Sequence, residues 1–116
     1  MKLRYAILKV RNIQRAKKFY IQLLGMQPVK EEIDRMVEFD LENLKIGLYN
    51  PLADGFPLND SDFGTNCMIA FGVDDIASEL ARVSSFAEIM CHEKVDYHEW
   101  FEFKDSEGNV LEIHKI

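Results

Sequence analysis

The sequence lacks any hydrophobic run that approaches the roughly 18 residues a membrane-spanning helix needs. Its first residues also lack the long apolar core of a secretory signal peptide. Only two cysteines are present, Cys67 and Cys91, and they form neither a Cys-x-x-Cys motif nor a dense disulfide framework. These absences predict a cytoplasmic protein with both thiols reduced, each acting as a small buried hydrophobic residue.

Basic residues are also scarce: 14 Lys and Arg stand against 20 Asp and Glu, which gives a net charge of −6. A negative domain repels phosphate backbones, so we expect no nucleic acid partner. The sequence has no Gly-rich phosphate loop, no Gly-x-Ser-x-Gly and no His-Glu-x-x-His motif, so the enzyme classes built on them are not indicated. What is present is 116 residues with 47% hydrophobic content, enough for one packed domain.

In the first half of the chain, the spacing of hydrophobic residues changes from that of a strand to that of a helix and back to that of a strand. Hydrophobic and polar residues alternate over residues 3–10, which predicts a strand. Asn12 is suited to cap a helix, and hydrophobic residues then recur at three- and four-residue steps as far as Gly25, a typical helix C-terminal residue. Three further strands are predicted at Gln27–Ile33, Met36–Leu41 and Leu44–Tyr49.

The second half repeats this order after a stretch rich in Pro, Gly, Asp and Asn, residues 51–66, which we interpret as a linker. Asp74 and Asp75 are suited to cap a second helix. The turn before the last strand contains Gly108-Asn109, a pair that suits the positive φ of such turns. The predicted strands are Met68–Val73, Glu88–Lys94, Tyr97–Lys104 and Val110–Ile116.

The two halves align as an internal repeat of βαβββ units, because Val10–Ile13 matches Val73–Ile76 at an offset of 63 residues. The repeat predicts an α+β fold class. A ferredoxin-like α+β sandwich is the alternative, although it has no three consecutive meander strands. We predict a single domain over residues 1–116, with module one at about 1–50, a linker at about 51–66 and module two at about 67–116.

Two runs of the sequence carry a resemblance to a known family. They are Tyr5–Ile13 near the start and Phe101–Ile113 near the end. They resemble the opening and closing signatures of vicinal oxygen chelate domains, the superfamily of glyoxalase I, bleomycin-resistance proteins and extradiol dioxygenases. Ser106 and Glu107 replace the usual Pro and Asp of the closing signature. The resemblance implies two paired βαβββ modules that form a curled mixed sheet around a cleft, with the helices on the outside.

The resemblance also implies a divalent metal held by the first and last strands of each module. Carried over by position, the ligand sites fall at Tyr5, Gly47, Met68 and Glu112. Only Glu112 is an ordinary ligand, since glycine offers no side chain and methionine suits Cu(I) rather than hard ions. A catalytic metal needs about three protein ligands. We therefore expect no cofactor, with a divalent metal at Glu112 as the alternative.

Alternation along the strands predicts which side chains line the cleft. Aromatic and carboxylate side chains dominate them, and this combination favours a cationic or aromatic small-molecule ligand. The predicted ligand-binding residues are Tyr5, Glu38, Tyr49, Met68, Trp100, Glu102 and Glu112.

Simpler interpretations exist for several of these residues. Trp100 is also typical of a dimer interface, and Glu112 of a relic that hydrogen-bonds a neighbour or water. His98 and His114 are more typical of exposed strand positions. Together with Glu102 and Glu112, however, they are also a candidate Zn or Mn site.

The function that we expect is small-molecule binding of the bleomycin-resistance type, in a homodimer that sequesters or senses a ligand without turning it over. One alternative is a metal-dependent lyase, isomerase or dioxygenase with an atypical ligand set. The second alternative is a dimeric structural or interaction protein in which Trp100 serves the interface.

Overall fold

The structure, a computed structural model, describes residues 3–63 and 68–116. The chain divides into two compact units, residues 1–63 and residues 64–116. Each unit has the order strand, helix and three strands, so the predicted βαβββ repeat and the α+β fold class are confirmed. That the two units form a single domain stays a prediction.

The first unit is a four-stranded mixed sheet with one helix. Its sheet order is β1-β4-β3-β2, in which β1 runs parallel to β4 and the other neighbours are antiparallel. The parallel pair requires a crossover connection, which begins with the helix. The elements are β1 Tyr5–Lys9, α1 Ile13–Leu24, β2 Lys30–Glu32, β3 Met36–Leu41 and β4 Leu44–Tyr49.

Helix α1 begins and ends where the sequence predicts. The Asn12 side chain accepts a hydrogen bond from the Arg15 amide at 3.0 Å, and Gly25 adopts a left-handed φ of 66°. The hydrophobic stripe of α1 is buried against the sheet, with the Tyr20 and Phe39 ring centroids 6.4 Å apart. The buried core of this unit includes Ile13, Ala16, Phe19, Tyr20, Leu23, Val37, Phe39, Ile46 and Leu48.

The second unit repeats this arrangement with sheet order β5-β8-β7-β6 and β5 parallel to β8. Asp75 caps its helix by accepting a hydrogen bond from the Ser78 amide at 3.1 Å. Phe101 and Phe103 are fully buried on the face of the sheet that packs against the helix. The elements are β5 Ile69–Val73, α2 Ile76–Ser84, β6 Ile89–Val95, β7 His98–Lys104 and β8 Val110–Lys115.

In each unit one face of the sheet packs on the helix. We call the other face the open face. Because side chains alternate along a strand, residues that flank a buried core residue lie on the open face.

Part of the predicted linker is folded as part of the first unit. Residues 51–63 contain two short 3-10 helices, Pro51–Asp54 and Asp60–Asp62. Lys9 Nζ lies 3.1 Å from the Asp62 carboxylate, and the Arg11 guanidinium lies over the Phe63 ring at 3.7 Å. The hydrogen bond from the Asn59 amide and the contact with Lys9 lower the pKa of Asp62. Periodicity gives no signal for such a segment, so the sequence predicted only a loop there.

A second anchor of this segment is Asp54. Its carboxylate accepts hydrogen bonds from the Tyr49 hydroxyl at 2.6 Å and from Arg35 Nε at 3.1 Å. Arg35 also bonds Glu32 at 2.5 Å. The hydrogen bond from Tyr49 and then the Arg35 guanidinium lower the pKa of Asp54, while the same contact raises the pKa of Tyr49. Residues 51–54 are thereby tied to the ends of β3 and β4.

The turn between β7 and β8 depends on Asp105. Its carboxylate accepts hydrogen bonds from the amides of Glu107 and Asn109, both at 2.8 Å, and from the Asn109 side chain at 3.0 Å. Gly108 has the predicted positive φ, at 88°, whereas Asn109 does not. The expected role of Asn109 was therefore wrong: it closes the turn through its hydrogen bonds.

Replacing Asp105 by Ala should destabilise the protein, because it leaves three donors of a buried turn without their acceptor. We expect the free energy of unfolding, measured by urea denaturation, to fall by about 2–4 kcal/mol. The control is Asp96→Ala in the exposed β6–β7 turn, which should change it by less than about 0.5 kcal/mol. Equal losses in the two variants would contradict the role of Asp105.

The stabilising effect of Asp54 should depend on pH. A carboxylate whose pKa is lowered on folding contributes stability above its unfolded value of about 3.9, and loses it as the pH falls through the folded value. Asp54→Asn should therefore lower Tm at neutral pH, and its difference from the wild type should shrink as the pH is lowered from about 5 to about 2. Asp96→Asn, which removes an exposed aspartate, is the control. A difference that stays constant with pH would refute this contribution.

Candidate functional site

The open face of the second sheet brings together most of the predicted site residues of this unit. In the β7–β8 register, Trp100 lies opposite His114 and Glu102 lies opposite Glu112. Cys91 of β6 is the neighbour of Glu102 on the other side. The alternation predicted for these strands is therefore the one observed, and these side chains are half-buried rather than covered by the helix.

Three aromatic rings stack on this face. The ring centroids of His98 and Trp100 are 5.4 Å apart, those of His98 and His114 are 4.8 Å apart, and those of Trp100 and His114 are 6.2 Å apart. The interplanar angles are 23°, 29° and 14°. The two histidines are therefore parts of one aromatic surface, which we call the ring stack, and not isolated exposed strand residues.

The polar atoms of the ring stack are arranged in a line. His98 Nε2 lies 2.5 Å from His114 Nδ1, so the two rings are joined by a hydrogen bond in which one nitrogen donates and the other accepts. On the far side of the same ring, His114 Nε2 lies 3.5 Å from Glu112 Oε1. This Nε2 is buried and has no hydrogen-bond partner among the described residues. Glu112 therefore places its carboxylate beside a buried ring nitrogen of the stack that lacks a hydrogen bond.

The two facing glutamates of the second sheet have different neighbours. Like charges directly opposite each other on adjacent strands are destabilising. Glu112 lies beside His114, whereas Glu102 contacts the Cys91 thiol. Burial and then the Glu102 charge raise the pKa of Cys91, which favours the unreactive thiol over the thiolate. Cys91 is half-buried and not in a disulfide, and Cys67 lies outside the described residues.

On the open face of the first sheet, Glu38 lies opposite Gly47, and Ile7 of β1 follows in the same row. Only 7% of Glu38 is exposed. Tyr49 lies two residues beyond Gly47, and its hydroxyl is held by Asp54. Tyr5, at the start of β1, is 37% exposed, with Lys45 Nζ 5.9 Å from its ring centroid.

The positions that the resemblance assigns to metal ligands are divided between the two units. Tyr5 and Gly47 lie on the first sheet, whereas Met68 just precedes β5 and is 40% exposed. Of the four implied ligand positions, Glu112 alone carries a carboxylate. Within residues 3–63 and 68–116, no group of three or more His, Cys, Asp or Glu side chains is placed to hold a metal ion, and this includes the predicted His–Glu alternative on the second sheet. The donor set therefore does not fit the family's metal.

A cavity of about 230 Å³ lies next to the ring stack. It is lined by residues 94–99 of the β6–β7 hairpin and by Lys115 and Ile116. His98 belongs to both the cavity and the ring stack. The cavity is smaller than the pockets of about 300–1,000 Å³ that enclose drug-sized ligands, so alone it holds part of such a molecule.

No helix among the described residues is long and apolar enough to span a membrane.

Several solved structures share the fold. They include a lactoylglutathione lyase from Agrobacterium tumefaciens, with a TM-score of 0.79 and 16% identity over 97% of this chain and 92% of that one. TnmS3, an antibiotic binding protein from Streptomyces sp. CB03234, has a TM-score of 0.78 and 16% identity over 99% and 95%. A glyoxalase / bleomycin resistance protein from Catenulispora acidiphila DSM 44928 has a TM-score of 0.75 and 17% identity, over 100% of this chain and 99% of that one. Identities this low show the fold alone.

No curated protein matches the sequence. A family model does match it, over residues 2–113, which is nearly the whole chain. The opening and closing runs that carry the resemblance both lie within this match. The chain thus belongs to the Glyoxalase/Bleomycin resistance protein/Dioxygenase superfamily.

Proposed function

We propose that this protein binds a cationic or aromatic small molecule without the metal centre of its superfamily's enzymes. The observation that carries the proposal is the ring stack of His98, Trp100 and His114 with Glu112 beside it. Flat rings stack on planar ligand groups and attract cations through their faces. A neighbouring carboxylate accepts a charge-assisted hydrogen bond from a cationic group.

The donor set favours binding over catalysis. The same fold serves both a lactoylglutathione lyase and an antibiotic binding protein, so the fold does not decide between them. In this chain three of the four implied ligand positions hold Tyr5, Gly47 and Met68, which leaves too few donors for a catalytic divalent ion. A metal-dependent lyase, isomerase or dioxygenase would need a different ligand set.

The proposal includes a homodimer in the cytoplasm. Ile7 on the open face of the first sheet is 56% exposed, and Tyr5 on the same face is 37% exposed. Large apolar side chains that share an exposed face are typical of a surface that meets a partner or ligand. The free Cys91 thiol is in keeping with a reducing compartment. No nucleic acid or membrane partner is proposed.

The single tryptophan of the chain makes the ligand test direct, because its fluorescence reports on the ring stack alone. Titration with cationic, neutral and anionic aromatic compounds should give saturable quenching mainly by the cations. Glu112→Gln should weaken this binding by about tenfold, since it removes one charge-assisted hydrogen bond. His92→Ala is the matched control, because His92 lies opposite Phe101 on the other face of the sheet. Quenching by neutral or anionic compounds only would contradict the proposed ligand class.

Trp100→Ala separates this proposal from the interface interpretation. Calorimetry should detect no ligand binding by the variant, while light scattering should find its oligomeric state unchanged. Dissociation of a dimer with ligand affinity retained would instead assign Trp100 to an interface.

Metal content provides an independent test. Mass spectrometry of untagged protein should find no stoichiometric metal. Ni, Zn, Mn, Fe and Co should each shift Tm by less than about 1 °C, because an ion that binds the folded state tightly would stabilise it. Stoichiometric metal, or a large shift that Glu112→Gln abolishes, would favour the lyase or dioxygenase alternative.

A further inference from the structure

Glu38 is a mostly buried residue whose carboxylate has no partner in the part of the chain that the structure describes. Its neighbours along β3, Val37 and Phe39, are fully buried on the helix side, so Glu38 belongs to the open face. Other carboxylates of this unit are paired, such as Asp54 with Arg35 and Asp62 with Lys9. Glu38 is only 7% exposed, and its carboxylate makes no hydrogen bond or ion pair with a described residue, although its backbone carbonyl accepts a hydrogen bond from the Val29 amide.

The residue opposite Glu38 leaves space beside this carboxylate. Gly47 is buried, yet a Cβ atom built there would meet only Ile7 Cγ1, at the ordinary contact distance of 3.6 Å. Gly47 does not have a positive φ, so its backbone does not require glycine. The equivalent position of the second sheet, opposite Glu102, holds Glu112. Neither strain nor crowding therefore explains the glycine, which leaves the space of at least a Cβ atom open beside Glu38.

We propose that Glu38 and the gap at Gly47 form a subsite for the primary ammonium group of a ligand. The inference rests on the proposed binding function and names a chemically defined contact on the first sheet. A carboxylate only accepts hydrogen bonds, and an ammonium group brings three donors and the opposite charge in a compact volume. Tyr49, next along β4 on the same face, has its hydroxyl fixed by Asp54, and its ring can supply a cation–π contact.

A stability measurement distinguishes a binding carboxylate from a structural one. The Glu38 side chain is mostly buried and its charge has no partner, so Glu38→Met, which keeps the side-chain length and adds apolar burial, should raise the Tm of the ligand-free protein by about 3 °C. The control is Glu102→Met, because Glu102 occupies the equivalent place in the repeat but contacts Cys91. It should give no such rise. A fall in Tm for Glu38→Met would mean that the carboxylate holds the fold together, and the proposal would fail.

Binding is tested with benzylamine, benzyl alcohol and benzyltrimethylammonium as probes, followed by amide chemical shifts in NMR. Benzylamine should shift the amides of residues 37–39 and 46–48. Benzyl alcohol lacks the charge, and benzyltrimethylammonium lacks N–H donors and is too large for the gap, so both should bind at least about tenfold more weakly there. Equal effects of the three compounds on these amides would overturn the proposal.

Two variants complete the test. Glu38→Gln keeps the shape and removes the charge, while Gly47→Ala partly fills the gap without strain. Each should weaken benzylamine binding by about tenfold. If both bind benzylamine as the wild type does while Trp100→Ala abolishes binding, the subsite is wrong and the proposed function stands. If no aromatic cation binds the wild type at either sheet, both the subsite and the proposed function are wrong.

Discussion

The alternation of side chains along the central strands is the constraint on which the rest of this structure depends. Val37 and Phe39 in the first unit, and Phe101 and Phe103 in the second, are fully excluded from solvent beneath the helices. A slip of one residue would move these side chains to the other face of their sheet. The core therefore determines that Glu38, Trp100 and Glu102 lie on the open faces. The candidate sites follow from which face of each sheet the helix covers.

The internal repeat places different chemistry at equivalent positions of the same backbone. Glu38 opposite Gly47 corresponds to Glu102 opposite Glu112. On the second sheet the two carboxylates have different contacts, Glu102 with Cys91 and Glu112 with His114. On the first sheet a single carboxylate lies beside a gap. Because the two units share one strand order, any difference in what they bind resides in these side chains.

Local patterns in the sequence were sufficient to predict the elements and their order. Helix α1 has its predicted cap at Asn12 and its predicted left-handed Gly25, and β3 has its predicted bounds. The same alternation predicted the faces of Trp100 and Glu112. The ring stack was not predictable, because it depends on the pairing register of β7 with β8. The contacts of residues 51–63 were missed because irregular segments have no period from which packing can be inferred.

Two polar groups of the open faces lack a hydrogen-bond partner among the described residues, and they bear on the choice between a binding role and a structural role. One is His114 Nε2, which is buried, and the other is the carboxylate of Glu38, which also makes no ion pair. A core selected only for stability or for a dry interface would replace such groups by apolar side chains, because each unsatisfied group lowers the free energy of unfolding. A cation bound at Glu38, or a donor or acceptor brought to His114 by a ligand of the second sheet, would remove that cost in its own unit. The unsatisfied groups therefore favour a binding surface over a purely structural one.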